Sequence, residues 1–523
     1  MEMDLERYTA IEAMMGKPGN RARLESAPML KNHGPGGRCS TVGETEGHMP
    51  AGCLIRHSTL EMGKARHTGK DLTEVRSPQR KLAPDTVGSE QGKPTSLRGI
   101  ANRAKACKHH RFRDLYRLLD VELLRASWGD LNKDAASGVD GLTAEQYSAD
   151  LEDNLQRLAE RLKRKTYRAK LVRRCYIEKE NGKQRPLGIP ALEDKLVQLA
   201  CAKVLNAIYE QDFLDLSYGY RAGRSALEAI GELTFNLQYG VFGYIVEADI
   251  RGFFDHLDHD GVLKMLGERI DDRAFLQLIR KWLKAGILDT DGQIIEPETG
   301  SPQGGIVSPI LANVYLHIAL DLWFERVVKA HCRGEALMIR YADDFVCAFR
   351  YQDDAQRFYR VLPKRLGKFQ LEVAEEKTRI LRFSRFHPSM KRRFTFLGFE
   401  LYWLPDRQGV VRVMRRTSRK KLQGACRRIK EWIKEERHLP GRTFIAALNR
   451  RLIGHYNYYG VRGNSRSLWR FYQWSIECAF KWLNRRGGKR RSFTWKAFSR
   501  ALQLLGVAKP RITEQKRQHV AFA

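Results

Sequence analysis

The chain of 523 residues is 42% hydrophobic and 29% charged, a balance that fits a soluble protein with a sizeable core and about two to four domains. Its 93 Lys and Arg against 61 Asp and Glu leave a net charge of +32, which makes a polyanion, nucleic acid first, the expected partner. No apolar run approaches the ~18 residues of a membrane span, "MEMDLERYTA" has no secretory core, and the nine cysteines form no C-x-x-C pair. A membrane protein, a secreted disulfide scaffold and a structural zinc site are thereby set aside, and a cytoplasmic location is expected.

Residues 1–100 are rich in Gly, Pro, Ser and charge, as in "NHGPGGRCSTVGETEGHMPAG", and are expected to stay disordered. Helical spacing begins in "FRDLYRLLDVELLRASWGDL", with Leu115, Leu118, Leu119, Val121 and Leu124 on one face. "TAEQYSADLEDNLQRLAERLKRKTY" predicts a second helix capped by Thr143. Short strands "RAKLVRRCYIEK" and "QRPLGIP" flank the turn "ENGK", and a long helix runs from Ala191 to about Glu210. Strand "GYIVEADI" leads through "RGFFDHLD" into helix "HDGVLKMLGERI", and Ser308 and Pro309 signal the N-cap and first turn of "ILANVYLHIALDLWFERVVKA". A strand pair follows around "RRFTFLGFELYW", then three basic, aromatic-rich helices after about residue 417. Neither βαβ repetition nor a pure bundle is present, so the fold class is α+β.

The charge is uneven. Residues 406–523 hold 30 Lys or Arg against 6 Asp or Glu, which is +24 of the total +32. A basic run is usually a solvated face, but that is a poor account of so large an excess.

Three segments carry chemistry. In "LMIRYADDFVCAF" the apolar flanks predict a hairpin with Asp343 and Asp344 at its tip. Alone, two aspartates in a turn read as solvated turn residues. "GYIVEADIRGFFDHL" predicts a buried strand ending at Asp249, with Asp255 and Asp258 beyond it. Three carboxylates brought together on one sheet repel, and a divalent cation relieves that repulsion. "GSPQGGIVSPI" adds a glycine-rich loop leading to a helix N-terminus, where anions are favoured.

Together these segments resemble the motif blocks of reverse transcriptases, and in particular the group II intron-encoded reverse transcriptase/maturases. "VEADIRGFFDHL" is similar to motif A, "SPQGGIVSP" to motif B and "RYADDF" to motif C. "EKENGKQRPLGIPALEDKLVQ" resembles the fingers block, "LSYGYRAGRSALEAI" the block after it, and "FTFLGFEL" the primer grip. The resemblance runs from about residue 105 to the C-terminus. It implies a right-hand polymerase: a leader at 1–100, a helical extension at 101–165, fingers and palm at 166–405, a thumb or maturase domain at 406–486 and a basic tail at 487–523. It also implies that Asp249, Asp343 and Asp344 hold two Mg²⁺ ions, with Mn²⁺ as the alternative, together with the Ile250 carbonyl. Lys179 and Arg185 would hold the incoming dNTP phosphates, Gln303 would contact the nucleotide, and Phe254 would exclude a ribose 2′-OH, with Phe253 as its rival.

The resemblance further implies group II intron RNA, an RNA template with a DNA primer, dNTPs and target DNA as partners, with the oligomeric state open and a homodimer among the choices. "LNRRLIGHYNYYGVRGNSRSLWRFYQWSIECAFKWLNRR" resembles the maturase segment and has the chemistry of an RNA surface on its own account. Arg450, Arg451, Arg462, Arg466, Arg470, Arg485 and Arg486 suit phosphates. Tyr456, Tyr458, Tyr459, Trp469, Tyr472 and Trp474 suit stacking on bases, about half of the aromatics being core instead, with Trp474 and Trp482 expected inside. Paired cysteines of the endonuclease domain found in some family members are absent, so no second-strand cleavage is expected. Two other readings stay open: a maturase acting mainly as a splicing cofactor, and a host-adopted reverse transcriptase for repair or defence.

Overall fold

The strand Tyr244–Asp249 (β3) has buried apolar residues on both faces, with Ile245 and Val246 fully buried and Ala248 nearly so, which is the signature of a central strand. In the computed structural model, which describes residues 96–178, 184–300, 304–406, 408–485 and 492–514, β3 lies in an antiparallel sheet. Ala336–Tyr341 (β6), Asp344–Phe349 (β7), β3 and Arg379–Arg382 (β8) follow one another in that order. Side chains alternate between faces. Val246, Ala248, Phe345, Cys347 and Phe349 enter one core, shared with the helix Gln352–Gly367 and the long helical run from Ser308 to His331. Ile245, Val346 and Ala348 enter a second core, against the helix Ala226–Tyr239 and a three-stranded sheet. That sheet is formed by Arg393–Phe396 (β9), Phe399–Pro405 (β10) and Val411–Thr417 (β11), and contributes Phe394, Phe396, Phe399, Leu401 and Trp403.

A four-stranded sheet joins Val172–Glu178 (β1) to Gln184–Ile189 (β2) and to the two-residue strands Ile287–Leu288 (β4) and Ile294–Ile295 (β5). The architecture is therefore mixed helix and largely antiparallel sheet, with β1 and β4 the one parallel pair among the named strands, and it is the α+β class expected. Thr143 caps its helix through a capping box with Gln146, and the helix Leu192–Tyr209 falls where the sequence places it. Two expectations shift. "FRDLYRLLDVELLRASWGDL" is interrupted, because Asp120 caps a new helix, Val121–Asp130, after a short 3₁₀ turn at Leu115–Leu118. Val307, not Ser308, takes the N-cap position of the next helix, so Ser308 is already helical and Pro309 stands second, where its missing N–H costs nothing.

The C-terminal part consists of the helices Arg419–Glu436, Gly441–Tyr459, Ser465–Leu483 and Trp495–Leu504. Ile433, Leu448, Leu452, Tyr456 and Ala479 are fully buried there. Each large apolar side chain removed from water adds about 1.5–3 kcal/mol, so this bundle has a core of its own. The last helix lies in a segment the sequence reads as basic tail, yet Thr494 caps it and Phe498 and Leu502 enter the bundle core. Glu514 closes the arrangement by accepting from Arg415 at 2.8 and 2.9 Å and from the Arg462 N–H at 2.8 Å. Residues 1–95, including most of the low-complexity leader, lie outside the described residues. Among the described residues no helix is long and apolar enough to cross a membrane.

Candidate active site

The register of the central sheet sets Asp249, the last residue of β3, opposite Asp344, the first residue of β7. Directly opposed antiparallel positions hold their Cβ atoms about 4.5–5.5 Å apart. The hairpin tip is Ala342–Asp343 rather than the two aspartates, because Tyr341 pairs with Asp344 and Ala342 adopts the left-handed φ of 57°. Asp249, Asp344 and Glu247 share the sheet face that looks toward the β9–β10 hairpin. Glu247 accepts from the Thr395 N–H at 2.9 Å and pairs with Arg379. The Leu397 N–H, at the turn of that hairpin, bonds the Asp344 carboxylate.

The electrostatics describe one acidic cluster. Burial, then the charges of Asp343, Asp249 and Glu247, push the Asp344 carboxyl up to about 8. Burial and the Asp249 charge raise Asp343 as well, opposed by Arg185 and Lys377. Asp249 is ion-paired with Lys377, which follows β3's neighbouring loop in the short 3₁₀ turn Glu375–Lys377. Lys377 and Glu247 are site residues that sequence reading missed; Glu247, two residues before Asp249 on the same strand, was legible from strand alternation, whereas Lys377 reaches the site only through the pairing of β3 with the chain leading into β8. The backbone bridge between Ile250 and Val373 uses the Asp249 carbonyl and the Arg251 N–H, which leaves the Ile250 carbonyl out of its bonds.

Among the described residues no three His, Cys, Asp or Glu side chains stand at metal-holding geometry. The donor set nevertheless suits a hard divalent cation. Its oxygens are three carboxylates and a carbonyl, burial and then their mutual repulsion raise two of the carboxyls, and the Lys377 ammonium already fills a cation's place beside Asp249.

Arg185, on β2, is exposed and acts electrostatically on both Asp343 and Tyr220, so it faces the cluster. Phe254 is partly exposed and packs edge-on to Tyr220 at 6.5 Å, whereas its rival Phe253 is 2% exposed and packs on Tyr315. Tyr220 is itself pushed up to about 12 by burial and by the Asp343 charge. Asp258 is a helix cap, accepting from the Gly261 N–H at 2.7 Å, and Asp255 is exposed. The loop before the long helix is pinned from two sides. Gly300 donates to Leu257 and accepts from His259, and Gly304, at a φ of 116°, lies against the Gly188 carbonyl of β2. Lys179, Gln303 and Arg486 lie outside the described residues.

Of the basic set, Arg450, Arg462, Arg466, Arg470 and Arg485 are exposed, the last beside Trp482 at 5.5 Å. Arg451 is half-buried, its guanidinium stacked 3.9 Å from the Trp432 ring, where it braces two helices. Tyr456 is fully buried with its hydroxyl donating to the Ala508 carbonyl at 3.3 Å, so it offers no stacking surface, contrary to expectation. Tyr459 and Tyr458 pack on Phe399, and the Tyr458 hydroxyl donates to the Leu397 carbonyl at 3.0 Å. Trp474, expected inside, is 41% exposed, and Trp469 45%, both beside the exposed arginines of Ser465–Leu483.

The family profile described as "Reverse transcriptase (RNA-dependent DNA polymerase)" matches residues 177–401. "Protein YkfC" of Escherichia coli is 34% identical over 309 residues, 53% of this chain and 78% of that protein. This chain belongs to the reverse transcriptase family. The Group II intron-encoded protein LtrA of Lactococcus lactis is 30% identical to this chain over 373 residues, and the chain spans 60% of that relative's length. The Arabidopsis "Nuclear intron maturase 4, mitochondrial" is 25% identical over 145 residues, 28% of this chain and 18% of that one. Divalent metal ions are general in the family, which agrees with the oxygen-rich cluster of this chain.

Proposed function

We propose that this chain is an RNA-directed DNA polymerase encoded by a group II intron, and that it also binds the intron RNA to assist splicing and mobility. In this reading β1–β2 and their neighbours are fingers, the central sheet is the palm, and the C-terminal helices are a thumb that carries the maturase surface. What supports it is one observation: Asp249 and Asp344 face each other across the adjoining strands β3 and β7 with Asp343 in the β6–β7 turn beside them, and Arg185 of the other sheet acts on that cluster.

Asp249, Asp343, Asp344 and the Ile250 carbonyl would hold two Mg²⁺ ions, with Mn²⁺ able to replace them. Such ions make a primer 3′-OH a better nucleophile and stabilise a leaving pyrophosphate. Arg185, with Lys179, presents a guanidinium fork and an ammonium to the triphosphate, where bidentate geometry fixes the nucleotide. Phe254 closes the floor under the sugar, and Gln303 orients the nucleotide from the loop that Gly300 and Gly304 hold. Exposed arginines and tryptophans of Ser465–Leu483 take phosphates and bases of the intron RNA, with template, primer and target DNA along the same basic surface.

Primer extension on an RNA template with Mg²⁺ and dNTPs, for the wild type and for Asp343→Asn/Asp344→Asn, tests the reading, with RNA affinity measured in parallel. The double variant is expected to lose extension and keep RNA binding. A wild type that binds the RNA and extends no primer would leave the splicing-cofactor role alone standing.

A further inference from the structure

One residue of the motif C segment has no role in that chemistry and is nevertheless the most fully bonded side chain near it. Arg340 is 0% exposed, and each of its five N–H groups has an acceptor. Nε and Nη2 fork onto the two oxygens of Asp321 at 2.7 and 2.6 Å. Nη2 also donates to the Ser217 hydroxyl at 2.7 Å, and Nη1 to the Asn313 side chain at 3.1 Å. The fifth bond, from Nη1 at 2.9 Å, goes to the carbonyl of Ala342, the residue just before Asp343.

Resting on the polymerase reading, we infer that Arg340 is a positioning residue for the Ala342–Asp343 turn, which it holds so that Asp343 and Asp344 stay beside Asp249 in the acidic cluster that would receive a divalent cation. Ala342 is a non-glycine residue in the left-handed region at 57°, a conformation that persists only when its surroundings impose it. The surroundings are visible. Asn313 passes its own N–H on to the Gly219 carbonyl at 2.8 Å, and Gly219 lies against the Ala342 backbone with no room for a Cβ. The Leu216 and Tyr218 backbone brackets Arg340 with bonds of 2.8 and 2.9 Å. The guanidinium thus ties the turn to the long helix and to the 214–220 loop at once, from below the acidic cluster.

Simple fold stabilisation is the weaker explanation. A buried ion pair is, on balance, about neutral against an apolar pair of similar volume, and two of these five bonds serve neither Asp321 nor Asn313. A lysine has no planar fork and cannot serve Asp321 and the Ala342 carbonyl in the same geometry.

The decisive variant replaces both charges, Arg340→Met with Asp321→Leu, so that neither is left buried and alone. Thermal unfolding, RNA affinity, Mn²⁺ binding by electron paramagnetic resonance, and kcat and KM for dNTP are measured on the full chain. The expected result is a folded protein with wild-type RNA affinity, Mn²⁺ bound about 10–100-fold more weakly, and a fall of the same order in kcat with KM little changed. A folded double variant with wild-type Mn²⁺ affinity and kcat overturns the inference. Should the pair variant not fold, Arg340→Lys carries the test, with weaker Mn²⁺ binding expected and unchanged Mn²⁺ binding refuting it. Mn²⁺ binding in a wild type that extends no primer would count against the polymerase reading alone, and the positioning role would still be decided by the variants.

Discussion

His455 stands near the C-terminal end of the helix Gly441–Tyr459, and its ring is stacked on Phe471 at 3.9 Å and against Tyr459 at 4.8 Å. Its Nε2 is buried without a partner among the described residues. Burial, and then the Arg428 charge, push its pKa down to about 3. The folded protein therefore keeps His455 neutral at pH values where the unfolded chain, titrating near 6.5, takes up a proton. Stability from this residue is complete above about pH 6.5 and is lost as pH falls toward 3, because the unfolded state binds more protons in that window. At pH 5 the unfolded state gains a factor of about 33, worth about 2 kcal/mol, and this holds wherever below about 4 the folded value lies. His455→Phe keeps the ring stack and removes the titration, and it also removes the orphaned nitrogen. Urea unfolding of the full chain, followed by tryptophan fluorescence at pH 8 and pH 5, should show the wild type losing about 2 kcal/mol more than the variant. Other titrating groups cancel in that difference. Equal losses in the two proteins would show that His455 takes its proton in the folded state, and the buried, neutral stack would be the wrong description.

Gly304→Ala would set a methyl group on the Gly188 carbonyl at a backbone angle that only glycine takes easily, so extension should fall at least about tenfold with RNA affinity kept; an active variant would mean that the loop does not rest on β2. Tyr458→Phe removes the hydroxyl that holds the Leu397 carbonyl, beside an N–H that bonds Asp344, and should cost about 1 kcal/mol of stability and reduce kcat without changing RNA binding; an unchanged kcat would sever the helical part from the acidic cluster. Arg466→Ala with Arg470→Ala should lower the slope of log affinity against log salt by about 0.7 for each single-stranded RNA phosphate left without its arginine. Tyr456→Ala should leave that slope alone and lower the unfolding temperature by the equivalent of about 3–5 kcal/mol, and the opposite pattern would return Tyr456 to the RNA surface.

The acidic centre was legible because its chemistry is local: strand, turn and carboxylate occur within a few residues, and repulsion among three of them demands an explanation. The hairpin register was off by one residue for an equally physical reason. Nothing in the side chain of an alanine announces a left-handed backbone, and the bonds that impose it at Ala342 come from Arg340 and from a loop more than a hundred positions earlier. Arg340 and Lys377 share that property, since each acts through a partner that only the folded sheet supplies.

The aromatic residues of the C-terminal helices could have been sorted from spacing alone. Tyr456 continues the row Leu448 and Leu452 at intervals of four, and that row is buried throughout. Trp474 continues the row Arg466 and Arg470 at the same interval, and that row is exposed. Residues four apart share a helix face, so the company a residue keeps is better evidence of burial than its own hydrophobicity. By the same rule Phe498 and Leu502, four apart after the capping Thr494, mark a helix inside the strongly basic C-terminal segment. Net charge pointed to the segment proposed to meet RNA, but it could not say which residues stand on its surface. The exposed row Arg466, Trp469, Arg470 and Trp474 combines cations with ring faces on one side of one helix, and that side is where the loss of RNA affinity should concentrate.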